Sequence, residues 1–164
     1  MTWIRKKKRF NRPKKMFDKA RIETEDGLVK KYGLKSKREI WKAESAVGKV
    51  RRQAKELITA STEDQEKLYK KLGKIGIKAD KISDVLGLDK EDWLKRRLQS
   101  VISEKRLAPT PNAARQLIVH KNVTINGSVV NIPSYIVKVE EESKIQVLKQ
   151  IKTKEKKDVT KKQE

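Results

Sequence analysis

The chain has 164 residues, with 43 lysines and arginines against 22 aspartates and glutamates, a formal net charge of +21. Self-repulsion of that size opposes a compact state unless a polyanion neutralises it, so nucleic acid or an anionic membrane surface is the expected partner. No run of about 18 apolar residues exists to span a bilayer, no apolar stretch behind the basic N-terminus makes a secretory signal, and the absence of cysteine excludes disulfides and thiolate zinc sites while fitting a reducing, cytoplasmic compartment.

Residues 1–34 read as a basic arm. Arg5, Lys6, Lys7, Lys8, Arg9 and Arg12 lead a run of cations opposed up to Arg21 only by Asp18, with Trp3, Ile4, Phe10, Met16 and Phe17 interleaved. Such an arm is either a solvated tail or a segment that threads into RNA, with cations on phosphates and aromatics on bases.

Residues 35–88 predict a helical domain. Ser36-Lys37-Arg38-Glu39 has the form of a capping box. Behind it Ile40, Ala43, Val47, Val50, Ala54 and Leu57 recur at spacings of three and four, one apolar stripe on a helix to about Thr59. A second helix starts at Thr62, carries Leu68, Leu72 and Ile75 inward, and ends at Gly73 to Gly76; a short apolar stretch runs from Ile82 to Leu88. The basic faces here are either solvated or in contact with RNA.

Residues 89–140 hold the richest pattern. Asp89 predicts an N-cap, with Leu88 and Trp93 as a hydrophobic staple, for a helix reaching about Lys105. Leu94, Leu98, Val101 and Ile102 face inward; Lys95, Arg96, Gln99 and Ser103 face outward, and Arg97 sits at the margin with its guanidinium turned to solvent. Thr110 and Pro111 then start another helix with Ala113, Ala114, Leu117 and Ile118 on its narrow apolar side. The two helix starts offer backbone N–H groups to phosphate. Asn126-Gly127 between β-branched runs predicts a tight hairpin, followed by a loop and another extended segment from Asn131 to Val137. Glu140, Glu141 and Glu142 face either a basic protein or water. Residues 141–164 form an extension and a Lys-rich flexible tail. The fold class is therefore α+β: a mostly helical N-terminal part plus a small helix–helix–hairpin module, with basic extended tails.

The string RRLQSVISEKRLAPTPNAARQLIVHKNVTINGSVVNIPSYIV, Arg96 to Val137, resembles the S-four RNA-binding module in every element. VNIPSYIV and the upstream KKYGLKSKRE resemble the ribosomal protein S four family in its archaeal and eukaryotic form, so the resemblance covers about Arg12 to Val137. It implies a structural component of the small ribosomal subunit that binds its ribosomal RNA early and nucleates assembly of the body. It also implies a neighbour in ribosomal protein S five and other small-subunit proteins, closeness to messenger RNA where it enters the subunit, and a part in translational accuracy. In such modules RNA meets the outer side of the first helix, the start of the second and the approach to the hairpin. Here those positions are Lys95, Arg96, Arg97, Thr110, Asn112, Arg115, Gln116, His120 and Lys121, with the arm adding to them. Two departures stand out: Ser103 to Leu107 replaces the Tyr-Arg-Leu-Gly end of the first helix common in bacterial members, and the N-terminal cysteine zinc site of some relatives has no counterpart.

No cofactor and no metal is expected, since the single His120 has no cysteine to join it. Neither a phosphate-binding loop nor a nucleophile elbow occurs, so no catalytic residue is assigned and the chain is not expected to be an enzyme. Two other classes bear weighing. An RNA-modifying enzyme would need a separate catalytic domain, for which the remaining residues are too few and too basic. A helix-turn-helix DNA binder shares the two-helix geometry but not the hairpin and VNIPSYIV.

Overall fold

The computed structural model describes residues 9–148, and its first helix lies where the sequence shows no clear apolar stripe. Helix α1 (Lys19–Tyr32) starts at Asp18, whose carboxylate accepts from the Arg21 N–H at 3.4 Å, and stops at Gly33 with φ +58°. The expected arm over 1–34 is thus helical from Lys19 onward. Its buried face is Glu25, Leu28 and Tyr32, so a glutamate fills a place where helical periodicity looks for an apolar residue.

Helix α2 (Lys37–Glu56) buries Ile40, Ala43, Val47 and Ala54, the stripe read from the sequence. Its capping box does not close. The Ser36 hydroxyl makes no cap bond; Glu39 accepts from the Lys35 N–H at 3.2 Å and is otherwise committed to arginines. Helix α3 (Thr62–Ile75) buries Leu68 and Leu72, and the Gln65 amide donates to the Leu57 carbonyl at 2.9 Å, satisfying an open carbonyl at the end of α2. Helix α4 (Ile82–Gly87) closes this bundle through Val85.

The single helix expected from Asp89 to Lys105 is two: α5 (Lys90–Lys95) and α6 (Leu98–Glu104). No glycine or proline marks the break. The chain 133–137 makes it: Leu98 N–H donates to Tyr135 O at 2.8 Å, and Val137 N–H donates to Arg96 O at 3.0 Å. Those bonds replace the helical ones, since buried backbone groups must be paired somewhere. The extended segment expected there therefore docks on the helix break rather than on the hairpin.

Helix α7 (Pro111–Val119) is capped as expected, Thr110 Oγ1 accepting from the Ala113 N–H at 3.2 Å. Strands β1 (Val123–Ile125) and β2 (Ser128–Val129) flank Asn126 and Gly127, at φ +52° and +79°, as the dipeptide predicts. After the short helix α8 (Val139–Glu142) comes β3 (Ile145–Val147), antiparallel to β1, which gives the order β2-β1-β3. Ile145 to Val147 are thus not part of a flexible tail as expected; their alternation puts Ile145 into the core.

Leu98, Val101, Ile102, Ala114, Leu117, Ile118, Val123, Ile125, Val137 and Ile145 form one apolar cluster. Each fully buried aliphatic side chain among them contributes roughly 1.5–3 kcal/mol. A second cluster joins Leu28, Tyr32, Leu34, Ile40 and Ala43 to Leu94, so α5 packs on α1 and α2. Among the described residues no helix is long and apolar enough to cross a membrane.

Candidate nucleic-acid interface

Between α2 and the α5–α6 break lies a charged seam. Glu39 is held by Arg97, whose side chain is 5% exposed, and by Arg115 at 3.1 Å. Arg115 also donates to Gln99 Oε1 at 3.3 Å. The Gln99 amide, itself buried, donates to the carbonyls of Gly33 at 2.7 Å, Tyr32 at 3.0 Å and Pro111 at 3.0 Å. One glutamine therefore ties the end of α1 to the start of α7. Gly33 is obligatory at that crossing: its φ is +58°, and a Cβ there would lie 2.6 Å from Asn112 Oδ1 and 2.9 Å from Gln99 Nε2. Burial alone would raise the Glu39 carboxyl, but hydrogen bonds and charge from Arg97 and Arg115 hold it below its ordinary 4.5. The guanidinium expected to point to solvent at Arg97 is thus buried and neutralised, and Gln99, expected on the outer side, is inside.

Arg96 is half-buried too. It donates to Glu142 at 3.0 Å and to the Val137 carbonyl at 3.2 Å, and it packs over Gly76. Glu141 accepts from the Tyr135 hydroxyl at 2.8 Å, which holds that phenol above its usual range. Two of the three acids in the run at 140–142 thus serve the module itself.

The other side of α7 is open. Asn112, Gln116 and His120 follow one another at i, i+4 and i+8, all exposed, and the line ends at exposed Lys121. Lys121 has φ +59°, an αL residue that turns the chain from α7 into β1. At the start of α7, Lys31, Lys95 and Pro111 line one shallow depression of about 310 Å³. Lys95 is exposed and paired only with Asp92, at 3.3 Å, an arrangement worth little at a surface. The start of α5, expected to be open to phosphate, is occupied instead: Asp92 accepts the Asp89 N–H at 3.0 Å. Of the arm, Arg9 and Arg12 are exposed, while Arg5, Lys6, Lys7 and Lys8 lie outside the described residues.

A third feature has no local signal in the sequence. The chain at Asn11 and Arg12, α1 and α2 enclose a depression of about 440 Å³, lined also by Glu25, Trp41, Lys49 and Arg52. Phe10 packs on Trp41 with ring centroids 6.0 Å apart.

A family model described as the S4 domain matches residues 96–143. The chain is similar to the small ribosomal subunit protein uS4 of Methanothermobacter thermautotrophicus, 40% identical over 145 residues that cover 85% of each. The uS4 of Nanoarchaeum equitans is 41% identical over 150 residues, 87% of this chain and 83% of that one. The uS4 of Korarchaeum cryptofilum is 40% identical over 151 residues, 88% of this chain and 91% of that one.

Proposed function

This chain belongs to the uS4 family of small ribosomal subunit proteins, and from that premise we propose that it binds small-subunit ribosomal RNA through the open side of α7. The chain is a structural component of the small ribosomal subunit with an RNA-binding S4 domain, and it is not an enzyme. The observation that carries the proposed site is the exposed line Asn112, Gln116, His120 and Lys121, with Lys31 and Lys95 flanking its start. The line itself offers donors and positive charge to a folded backbone without first breaking an internal bond, while Lys31, on Glu91 at 2.6 Å, and Lys95, on Asp92 at 3.3 Å, exchange surface pairs that are worth little. A-form RNA hides its major groove, so such a line reads phosphates and 2′-hydroxyls rather than base sequence. The arm at Arg5, Lys6, Lys7, Lys8, Arg9 and Arg12 extends the footprint by counterion release. Thr110 has its hydroxyl in the cap and contributes through position; Arg96, Arg97 and Arg115 act by shaping the module.

Early binding, nucleation of the subunit body, a place beside ribosomal protein S five, closeness to messenger RNA and an effect on accuracy complete the reading; family membership supports them. Co-sedimentation with small subunits, followed by hydroxyl-radical footprinting of their RNA, tests it. Protection should cluster at one multi-helix junction and weaken when Gln116, His120 and Lys121 are replaced together by alanine. Absence from the subunit fraction would overturn the proposal.

A further inference from the structure

The depression between α1, α2 and the preceding chain holds a group that phosphate binding leaves unused. Glu25 is 3% exposed. Its Oε1 accepts from the Trp41 indole N–H at 2.9 Å and from Arg21 at 2.9 Å, whereas Oε2 has no donor among the described residues. A buried carboxylate oxygen without a donor is costly, and native structures supply one from water or a ligand. Around it Arg12, Lys49 and Arg52 make no ion pair among the described residues and outnumber the one further acid of the lining, Glu44, and Trp41 gives an aromatic wall. The volume of about 440 Å³ suits a small ligand.

That surface asks for a ligand that is anionic at one end, flat in the middle and an N–H donor at the other. We infer that the depression takes a single unstacked RNA nucleotide, whose base donates an exocyclic N–H to Glu25 Oε2 once that covered carboxylate oxygen turns toward the depression, while its phosphates meet Arg12, Lys49 and Arg52. A backbone phosphodiester alone has only acceptors and cannot satisfy Glu25; a cationic peptide would satisfy Glu25 and be repelled by the three cations. A base bearing an amine, adenine, guanine or cytosine, fits; uracil fits worse, because it has no exocyclic amine and the two carbonyls flanking its single N3–H would face the carboxylate. The inference rests on the rRNA-binding reading but adds a base-specific site outside the matched domain at 96–143.

The test is Glu25→Gln in the full chain. Gln keeps the shape and can turn its oxygen to Trp41 and Arg21, leaving an NH₂ donor where Oε2 stood. Ultraviolet crosslinking to a full-length transcript of small-subunit rRNA first identifies the nucleotide attached to the Trp41 region. Wild type should crosslink one amine-bearing nucleotide there and lose affinity about tenfold when it is changed to uridine. Glu25→Gln should lose a similar factor on the native transcript and recover on the uridine transcript. Equal affinities for all four pairings, with an unchanged melting temperature, would overturn the inference and leave the α7 interface standing. A loss caused by 2′-deoxy substitution at that nucleotide but not by uridine would overturn it as well, by making the sugar the donor. Failure of wild type to bind the transcript at all would instead overturn the rRNA-binding reading itself.

Discussion

The two sides of α7 are built from similar residues and meet different fates. Toward α2, Arg115 joins Arg97 on Glu39, and both cations are spent inside the protein. Away from α2, Gln116, His120 and Lys121 stand open. The difference teaches that in a chain of this charge a cation buried against an acid is spent on the fold, while one left free or in an exposed pair stays available to RNA. It also gives Glu39, Glu141 and Glu142 a role in a chain with 43 bases to 22 acids: they select which polar groups build the module.

The sharpest way to break the comparison is Glu39→Ala. Removing the acid strands Arg97, 5% exposed, and Arg115. We expect a loss of about 3–5 kcal/mol by urea denaturation, and a loss under about 1 kcal/mol would make the seam a surface pair. The same seam predicts acid sensitivity. Glu39 has a depressed carboxyl in the folded state, so its contribution is fully present above its ordinary 4.5 and is lost as pH falls below that value through the folded one. Denaturation midpoints should fall across that acid window in wild type and fall less in Glu39→Gln.

Gly33→Ala comes next. A Cβ 2.6 Å from Asn112 in a left-handed conformation should cost roughly 2–3 kcal/mol and loosen α1 from α7, read by melting and by amide exchange at Gln99. Glu142→Ala frees Arg96, and a cost of roughly 1–2 kcal/mol with faster exchange at Val137 is expected. No change in either would remove α8 from the module's structural account. The smallest stability effect has the opposite sign. Lys121→Gly relieves a left-handed lysine and should gain up to about 1 kcal/mol while weakening rRNA binding a few-fold. Gain without weakening would place Lys121 outside the interface.

Much of this was legible in the sequence, for identifiable reasons. The α2 stripe, the Thr110–Pro111 start and the Asn126–Gly127 turn are local signals, and each appears where its residues require it. What stayed hidden depends on distant partners. The break at Arg96 and Arg97 is made by backbone bonds from residues 133–137, and nothing local announces it. Helix α1 is masked by Glu25 on its buried side, and β3 by the lysines and glutamates around Ile145 and Val147. At the candidate interface, residue type alone marked Arg97 and Lys121 as equals; only Glu39, read as a helix cap, separates them.

The salt dependence of rRNA affinity tests the central claim most directly, measured for wild type, Lys121→Gly and Arg97→Met. Wild type should give a log–log slope of about five or more in magnitude, Lys121→Gly a slope lower by up to about one, and Arg97→Met an unchanged slope despite its lower stability. A wild-type slope near one or two, or a loss in Arg97→Met equal to that in Lys121→Gly, would contradict the division between the two sides of α7.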